Sequence, residues 1–308
     1  MKESPFHRNI FTGSPIEYCI PKKTEVVVVS DYFANDLSGG AELTLEALLE
    51  KTPYKVFKLH STSLTPRLLQ KNLDKKWLFG NFTLVPTETI VELINAENIN
   101  YSIIEFDFKF CVWRSMFLHL REAKTPCNCP DSGHGKMIEA MYSKAKNLFW
   151  MSEKQKEIFQ NMVMSLGNHK SQYVVSSMFD DKSLDYLEKL RNKYAVKDPR
   201  AAILGAGSWI KGLEQTEAFL SATGREYVKL EKKPYQEFLA DLAKYKTFVF
   251  RPLDSDTCPR VVIEAKLLGL SLETNNNVLH KNEPWFAGSI EDTEKYLRGN
   301  ADLVWKSI

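Results

Sequence analysis

The stretch DTCPRVVIE places Asp256 and Glu264 eight positions apart, with Pro259 and Arg260 between them. It follows KTFVFRPL, an apolar run that reads as a buried strand. Pro259 is at home in a first helical turn, where its missing N–H needs no partner. A helix that starts just past a parallel strand presents unpaired amides and a partial positive charge, and open α/β sheets hold anions at such places. Arg260 adds a guanidinium beside the amides of Val261 and Val262, while Asp256 and Glu264 would accept hydrogen bonds from sugar hydroxyls. The dipole alone is worth about 0.3–1 kcal/mol at an exposed helix end, so a diphosphate needs further donors. Lys211, in a loop after another strand and beside Gly212, is a natural one. Gly39 and Gly40, without Cβ atoms, admit a phosphate or sugar close to the backbone. Each feature also has a plain reading: a capped helix with a solvated Glu264, a solvated Lys211, a flexible Gly39-Gly40 turn. Glu42 reads as an ordinary first-turn acid.

A second chemistry lies in FDFKFCVWRSMFLHLREAKTPCNCPDSGHG. Asp107, Lys109, Arg114 and His119 follow a strand end, a good address for acceptor or cleft contacts. Cys111, His119, Cys127, Cys129 and His134 contain enough ligands for zinc, with His119, Cys127, Cys129 and His134 as the candidate set. The C-x-C spacing is tighter than a zinc knuckle and no second paired motif accompanies it, which favours a reduced cysteine loop over a structural metal. Five cysteines at irregular spacing fit reduced thiols better than a disulfide framework.

These residues need a scaffold that alternates strands and helices. TEVVVVSDYFANDLSGGAELTLEALLEK gives a strand, a polar loop through Ser38, Gly39 and Gly40, and a helix with Leu43, Ala47 and Leu48 at helical spacing. RAAILGAGSWIKGLEQTEAFLSA repeats the plan. Its glycines fail the dinucleotide fingerprint, since Ile210 stands where the third glycine belongs. Between the two openings, strands are expected at YKVFKLHS, KWLFGNFTLV, NYSIIEFDF and NLFWMS, with helices between them and Ser152 as an N-cap. Later, EYVKLE, TFVFRP and LSLETN read as strands, and SIEDTEKYLRGNADLVWKSI as a terminal helix or helix pair. The class is α/β with two Rossmann-like domains facing a cleft. The expected boundaries are 1–169, 170–289, and a terminal element 290–308 packing back on the first domain. The length of 308 residues suits two domains. A formal charge of +2 calls for no nucleic acid, and no apolar run reaches membrane-span length. A cytoplasmic location is expected, and peripheral membrane contact stays compatible with the composition.

Taken together, SGGAE after the first strand, SWIKG opening the second half and the acidic pair ahead of the A-x-x-x-G helix resemble the retaining nucleotide-sugar glycosyltransferases of the GT-B fold, the large family 4 group. The resemblance runs through nearly the whole chain. It implies a donor nucleotide on the second domain, an acceptor (glycan, lipid or small molecule) on the first, and a terminal helix crossing back. It assigns Lys211 to the donor diphosphate, Glu264 to the nucleotide ribose, Asp256 to the donor sugar and Gly39-Gly40 to the loop over the phosphates. His119 matches the histidine near the transferred sugar, so the implied catalytic set is His119, Lys211, Asp256 and Glu264. The chain departs from the pattern in having Asp256 where Glu is usual, LGAGSW where an Arg precedes the lysine, and Arg260 where a small or apolar residue is usual. The implied reaction is hexosyl transfer in glycan biosynthesis, with retention and with no cofactor required. A nucleotide-sugar epimerase and a non-catalytic nucleotide-sugar-binding protein are the competing functions.

Overall fold

The computed structural model describes residues 19–205 and 209–308. Gly207 and Ser208, parts of the expected glycine turn and SWIKG motif, lie outside the described residues. In chain order the first half contains β1 (Val26–Ser30), α1 (Gly40–Glu50), β2 (Val56–His60), α2 (Pro66–Gln70), β3 (Lys76–Phe79), α3 (Thr87–Asn95) and β4 (Asn100–Glu105). It continues with α4 (Met116–Ala123), α5 (Gly133–Lys144), β5 (Asn147–Trp150), α6 (Glu153–Met162) and β6 (Gln172–Val174). The second half contains α7 (Asp181–Lys193), β7 (Asp198–Leu204), α8 (Leu213–Ala222), β8 (Tyr227–Leu230), α9 (Tyr235–Leu242), β9 (Tyr245–Phe250) and α10 (Arg260–Leu267). β10 (Ser271–Thr274), α11 (Pro284–Ala287) and α12 (Ile290–Ser307) complete it.

The strands form two parallel sheets, β2-β1-β3-β4-β5-β6 and β10-β9-β7-β8. VVVVS of β1 is buried throughout, as a central parallel strand covered on both faces must be. Its side chains alternate: Val27 and Val29 join a core with Leu59, Trp77 and Ile103, whereas Val26 and Val28 join one that continues into the second sheet. Gln172–Val174 pairs with β5, so the first sheet extends past the expected boundary at residue 169. The expected strand KWLFGNFTLV ends at Phe79. There the buried Asp31 carboxylate accepts from the amides of Thr83 and Leu84, both at 3.0 Å, and from Thr83 Oγ1 at 2.6 Å, which turns the chain.

The terminal stretch is a single helix. Ser289 and Asp292 close a capping box at its start, and Leu297, Ala301, Val304 and Trp305 form one buried stripe. The stripe lies against the first sheet's side of the molecule: Trp305 Nε1 donates to Leu48 O at 2.8 Å, and Asn147 Nδ2 donates to Ser307 O at 2.9 Å. Burying each large apolar side chain of this kind is worth about 1.5–3 kcal/mol, which ties the two halves together. No described helix is long and apolar enough to cross a membrane.

In both sheets the winding reverses beside the first strand, between β1 and β3 and between β7 and β9. The crevice at the carboxyl ends of such strands is where doubly wound sheets bind ligands. Here the two crevices face each other.

Candidate functional site

A cavity of about 400 Å³ lies between the facing strand ends. The first half lines it with Ser38 and Gly40 after β1, Asn81 after β3, Phe106, Asp107 and Arg114 after β4, and Met151 after β5. The second half contributes Leu204, Lys211, Tyr235, Phe250, the turn from Asp256 to Val261, and Glu264. Two helix starts converge on it. A Cβ added at Gly40, the first residue of α1, would lie 3.8 Å from Cβ of Arg260, the first residue of α10. Unpaired amides of both helices are thereby brought to one place.

The two glycines of the first loop have different roles. Gly40 borders the cavity, whereas a Cβ at Gly39 would fall 2.3 Å from Glu42 Oε2. Gly39 makes room for Glu42, which folds back on the start of α1 and bonds the Gly39 amide. Burial raises the Glu42 carboxyl above the usual range. This fits the expected first-turn acid.

On the opposite wall, Lys211 ends a single 3-10 turn, Trp209–Lys211. Gly212 follows with φ of 75°, and a Cβ there would stand 2.0 Å from Arg251 O, so backbone conformation and space both demand glycine. Lys211 Nζ lies 2.6 Å from Asp256 Oδ2, with side-chain exposures of 43% and 13%. Two residues singled out from separate motifs therefore form one ion pair on the cleft wall.

Arg260 and Glu264 differ from expectation. Arg260 does not extend a free guanidinium over the helix start. Its Nε donates to Glu264 Oε1 at 2.9 Å, its Nη1 donates to Met178 O, and its plane lies 3.8 Å from the Phe179 ring centroid. Tyr235 OH donates to the same Glu264 Oε1 at 2.7 Å. Both members of the pair are buried. Burial raises the Glu264 carboxyl above its usual range, with Arg260 opposing, and raises the Tyr235 phenol. A guanidinium one turn ahead of a carboxylate on the same helix face satisfies it locally, which is why Arg260 turns inward. Val262 is likewise corrected: its side chain is buried in the core and its amide donates to Pro259 O at 3.0 Å. That leaves the amides of Arg260 and Val261 without a backbone acceptor among the described residues.

The strand-end cluster divides the same way. Lys109 is 1% exposed and its Nζ donates to Glu105 Oε1 at 2.9 Å, so it is a buried counter-charge and not a cleft contact. Asp107 and Arg114 do line the cavity, with Arg114 Nε donating to Asp107 Oδ2 at 2.7 Å and Nη2 to Asn81 Oδ1 at 3.1 Å. Burial works to raise the Asp107 carboxyl, but Lys109 and Arg114 outweigh it and hold the group below the usual range. Arg114 has φ of 56°, a left-handed conformation that costs a non-glycine residue about 1–3 kcal/mol and clusters at ligand sites.

His119 is not in the cleft. It is buried on α4, with Nδ1 3.3 Å from Cys129 Sγ and 3.7 Å from Cys111 Sγ. His134, expected beside it, instead places Nε2 2.8 Å from Lys109 O. The group that converges is Cys111, His119, Cys127 and Cys129.

Sequence reasoning missed Asn81, Ser115, Tyr235 and Asp254. Ser115 Oγ donates to Asp254 Oδ2 across the cleft, and burial raises the Asp254 carboxyl. Thr257 Oγ1 also crosses, donating to Phe106 O at 2.7 Å. The repeated acid in DSD was a signal for Asp254. Tyr235 had none, because it meets Glu264 only through a tertiary hydrogen bond from the start of α9.

No protein-family model matches the chain, and no curated protein matches it. Solved structures do. The UDP-forming α,α-trehalose-phosphate synthase from Burkholderia xenovorans aligns with a TM-score of 0.56 at 10% identity, covering 92% of each chain. HepE from Anabaena in complex with UDP and glucose aligns with a TM-score of 0.47 at 13% identity, covering 92% of this chain and 93% of that one. AviGT4, a glycosyltransferase involved in avilamycin A biosynthesis, gives 0.48 at 12% identity, covering 92% and 91%. At 10% identity the likeness to the trehalose-phosphate synthase is one of fold, and two Rossmann-like units in the GT-B arrangement are what was expected.

Proposed function

We propose that this chain is a nucleotide-sugar glycosyltransferase that moves a hexosyl group to a glycan, lipid or small-molecule acceptor. The observation that carries the reading is the cavity between the two sheets, where the starts of α1 and α10 meet Lys211. That combination suits a diphosphate, and the adjoining carboxylates suit a sugar. The fold shared with a UDP-forming synthase supports the reading, since a nucleoside diphosphate is that protein's product.

In this proposal the diphosphate lies over Gly40 and the amides of Arg260 and Val261, and draws Lys211 from Asp256. The leaving nucleoside diphosphate gains negative charge as the glycosidic bond breaks, and preorganised amides plus an ammonium stabilise it without reorganisation. Asp256, released from Lys211, accepts from the donor sugar. Glu264 has Oε1 taken by Tyr235 and Arg260, so Oε2 is the oxygen left for a ribose hydroxyl. Asp107 and Arg114 shape the acceptor side. Retention of anomeric configuration and turnover without a catalytic divalent ion belong to the same proposal.

The test is a thermal-shift screen with UDP, GDP, ADP, CMP and TDP, followed by incubation of the matching nucleotide sugars with acceptors and product analysis. A ligand that binds only the native state raises the melting temperature by mass action. The expected outcome is one nucleoside diphosphate that stabilises the protein and a new glycoside from its sugar. An epimerised donor, or binding with no product, would replace the transferase with one of the competing functions. Activity that vanishes in EDTA and returns with magnesium or manganese would refute the metal-free step.

A further inference from the structure

We propose that Cys111, His119, Cys127 and Cys129 bind one structural zinc ion that staples the cleft-bordering segment of the first half. Around a tetrahedral zinc, with Zn–S of about 2.3 Å and Zn–N of about 2.0–2.1 Å, sulfur–sulfur edges are about 3.8 Å and sulfur–nitrogen edges about 3.6 Å. The observed separations are 3.9 Å for Cys111 Sγ to Cys129 Sγ, and 3.7 and 3.3 Å from those sulfurs to His119 Nδ1. All four donor atoms lie within 4.8 Å of one another. Four protein ligands complete the tetrahedron and leave no open position, so the site is structural and not catalytic. On binding, three thiols release their protons to solvent and the imidazole binds as the neutral ring.

The segment needs such a staple. Among the residues of α4, only His119 is buried, while Leu120 is exposed, as are Val112 and Trp113 just before the helix. Met116 gives the helix partial apolar contact with the core, and its one buried side chain is the polar residue in the cysteine cluster. The segment also borders the cleft from both sides of the helix start. Arg114 and Ser115 lie between the first two ligands, and α4 touches the opposite wall through Phe117 and Arg121, the latter 4.0 Å from the Trp209 ring. Lys211 follows two residues later in the same turn.

The experiment measures metal in the purified full chain by mass spectrometry, with cobalt substitution to read the ligand sphere. About one zinc per chain is expected, and less than about a tenth of that in Cys111→Ser or Cys129→Ser. Cys127→Ser, at the rim of the cluster, serves if the buried variants do not fold. Cys19→Ser and His134→Ala should keep full metal content. Cobalt-loaded protein should show sulfur-to-cobalt charge transfer and tetrahedral visible bands, and stripping the metal should lower the melting temperature. Metal-free protein whose thiols react freely, a disulfide among these cysteines, or metal lost with His134→Ala and kept with Cys111→Ser would each overturn the assignment.

Discussion

Two ion pairs line the second half's wall of the cleft, and they differ in everything but charge. Arg260–Glu264 is sealed: its members are 5% and 3% exposed, and Tyr235, Met178 O and Phe179 occupy the guanidinium and one carboxylate oxygen. Lys211–Asp256 is open, with the ammonium 43% exposed and no further partner for it among the described residues. A sealed pair ties α10 to Tyr235 and to the Met178–Phe179 segment, whereas an open pair can exchange its partner for a ligand. The charge of a residue near a helix start therefore does not say which service it performs. Its desolvation does.

The comparison breaks most severely at the sealed pair. Glu264→Ala leaves a buried guanidinium without its carboxylate, which costs about 3–5 kcal/mol. The urea midpoint should fall accordingly, and the double variant Arg260→Met, Glu264→Leu should recover most of it. A Glu264→Ala protein as stable as the parent would mean that the pair is not sealed in solution.

Lys211→Ala probes the open pair. An exposed pair contributes about 0–1 kcal/mol to stability, so the midpoint should barely move. Loss of a charge-assisted hydrogen bond to a diphosphate, at about 1.5–3 kcal/mol, should weaken nucleoside diphosphate binding by about one to two decades in calorimetry. An unchanged affinity would remove Lys211 from the diphosphate site.

A third test uses a sealed group with no partner at all. His280 is fully buried, its ring nitrogens accept and donate nothing among the described residues, and it stacks on Trp285. Burial pushes its pKa down to about 3, from an ordinary value of 6.5. Between those values the unfolded chain binds a proton that the folded chain does not, so this residue's contribution to stability falls as pH drops through that window. The loss is at most about 1.4 kcal/mol per pH unit. His280→Phe should flatten the decline in melting temperature between pH 7 and pH 5, and an identical slope in both proteins would refute it.

The smallest effect sharpens the contrast. Asp256→Asn frees Lys211 before any ligand arrives, so a free nucleoside diphosphate should bind up to about fivefold more tightly, while sugar transfer falls. Weaker nucleoside diphosphate binding would show that Asp256 positions the lysine and does not compete with the ligand.

Much of the scaffold was legible in the chain. VVVVS, NLFWMS and TFVFRP announced buried parallel strands, because continuous β-branched and aromatic runs suit strands covered on both faces, and each lies in one. Ser152 announced a helix start as its N-cap, accepting from the Gln155 amide. Helices α4 and α7 went unread. In α4 the only buried side chain is a histidine, which leaves no apolar period to detect. The cleft was legible in part: Lys211, Asp256, Arg114 and Gly40 border it as their neighbourhoods implied, whereas Lys109, Val262 and His119 do not.

What the sequence alone determined is whatever depends on near neighbours: the strand runs, the turn at Lys211-Gly212, the helix that begins at Arg260. Tertiary structure decided which charges are spent. Arg260 and Glu264 were adjacent on one helix face from the start, but only the arrival of Tyr235 and Phe179 from distant segments excludes water and converts a surface pair into a buried one. The replacement of His134 by Cys111 among the cysteines has the same origin. Sequence spacing counts ligands along the chain, but the approach of β4's trailing loop to α4 and the Cys127–Cys129 loop is set by how those elements pack, and distance through space selects the four.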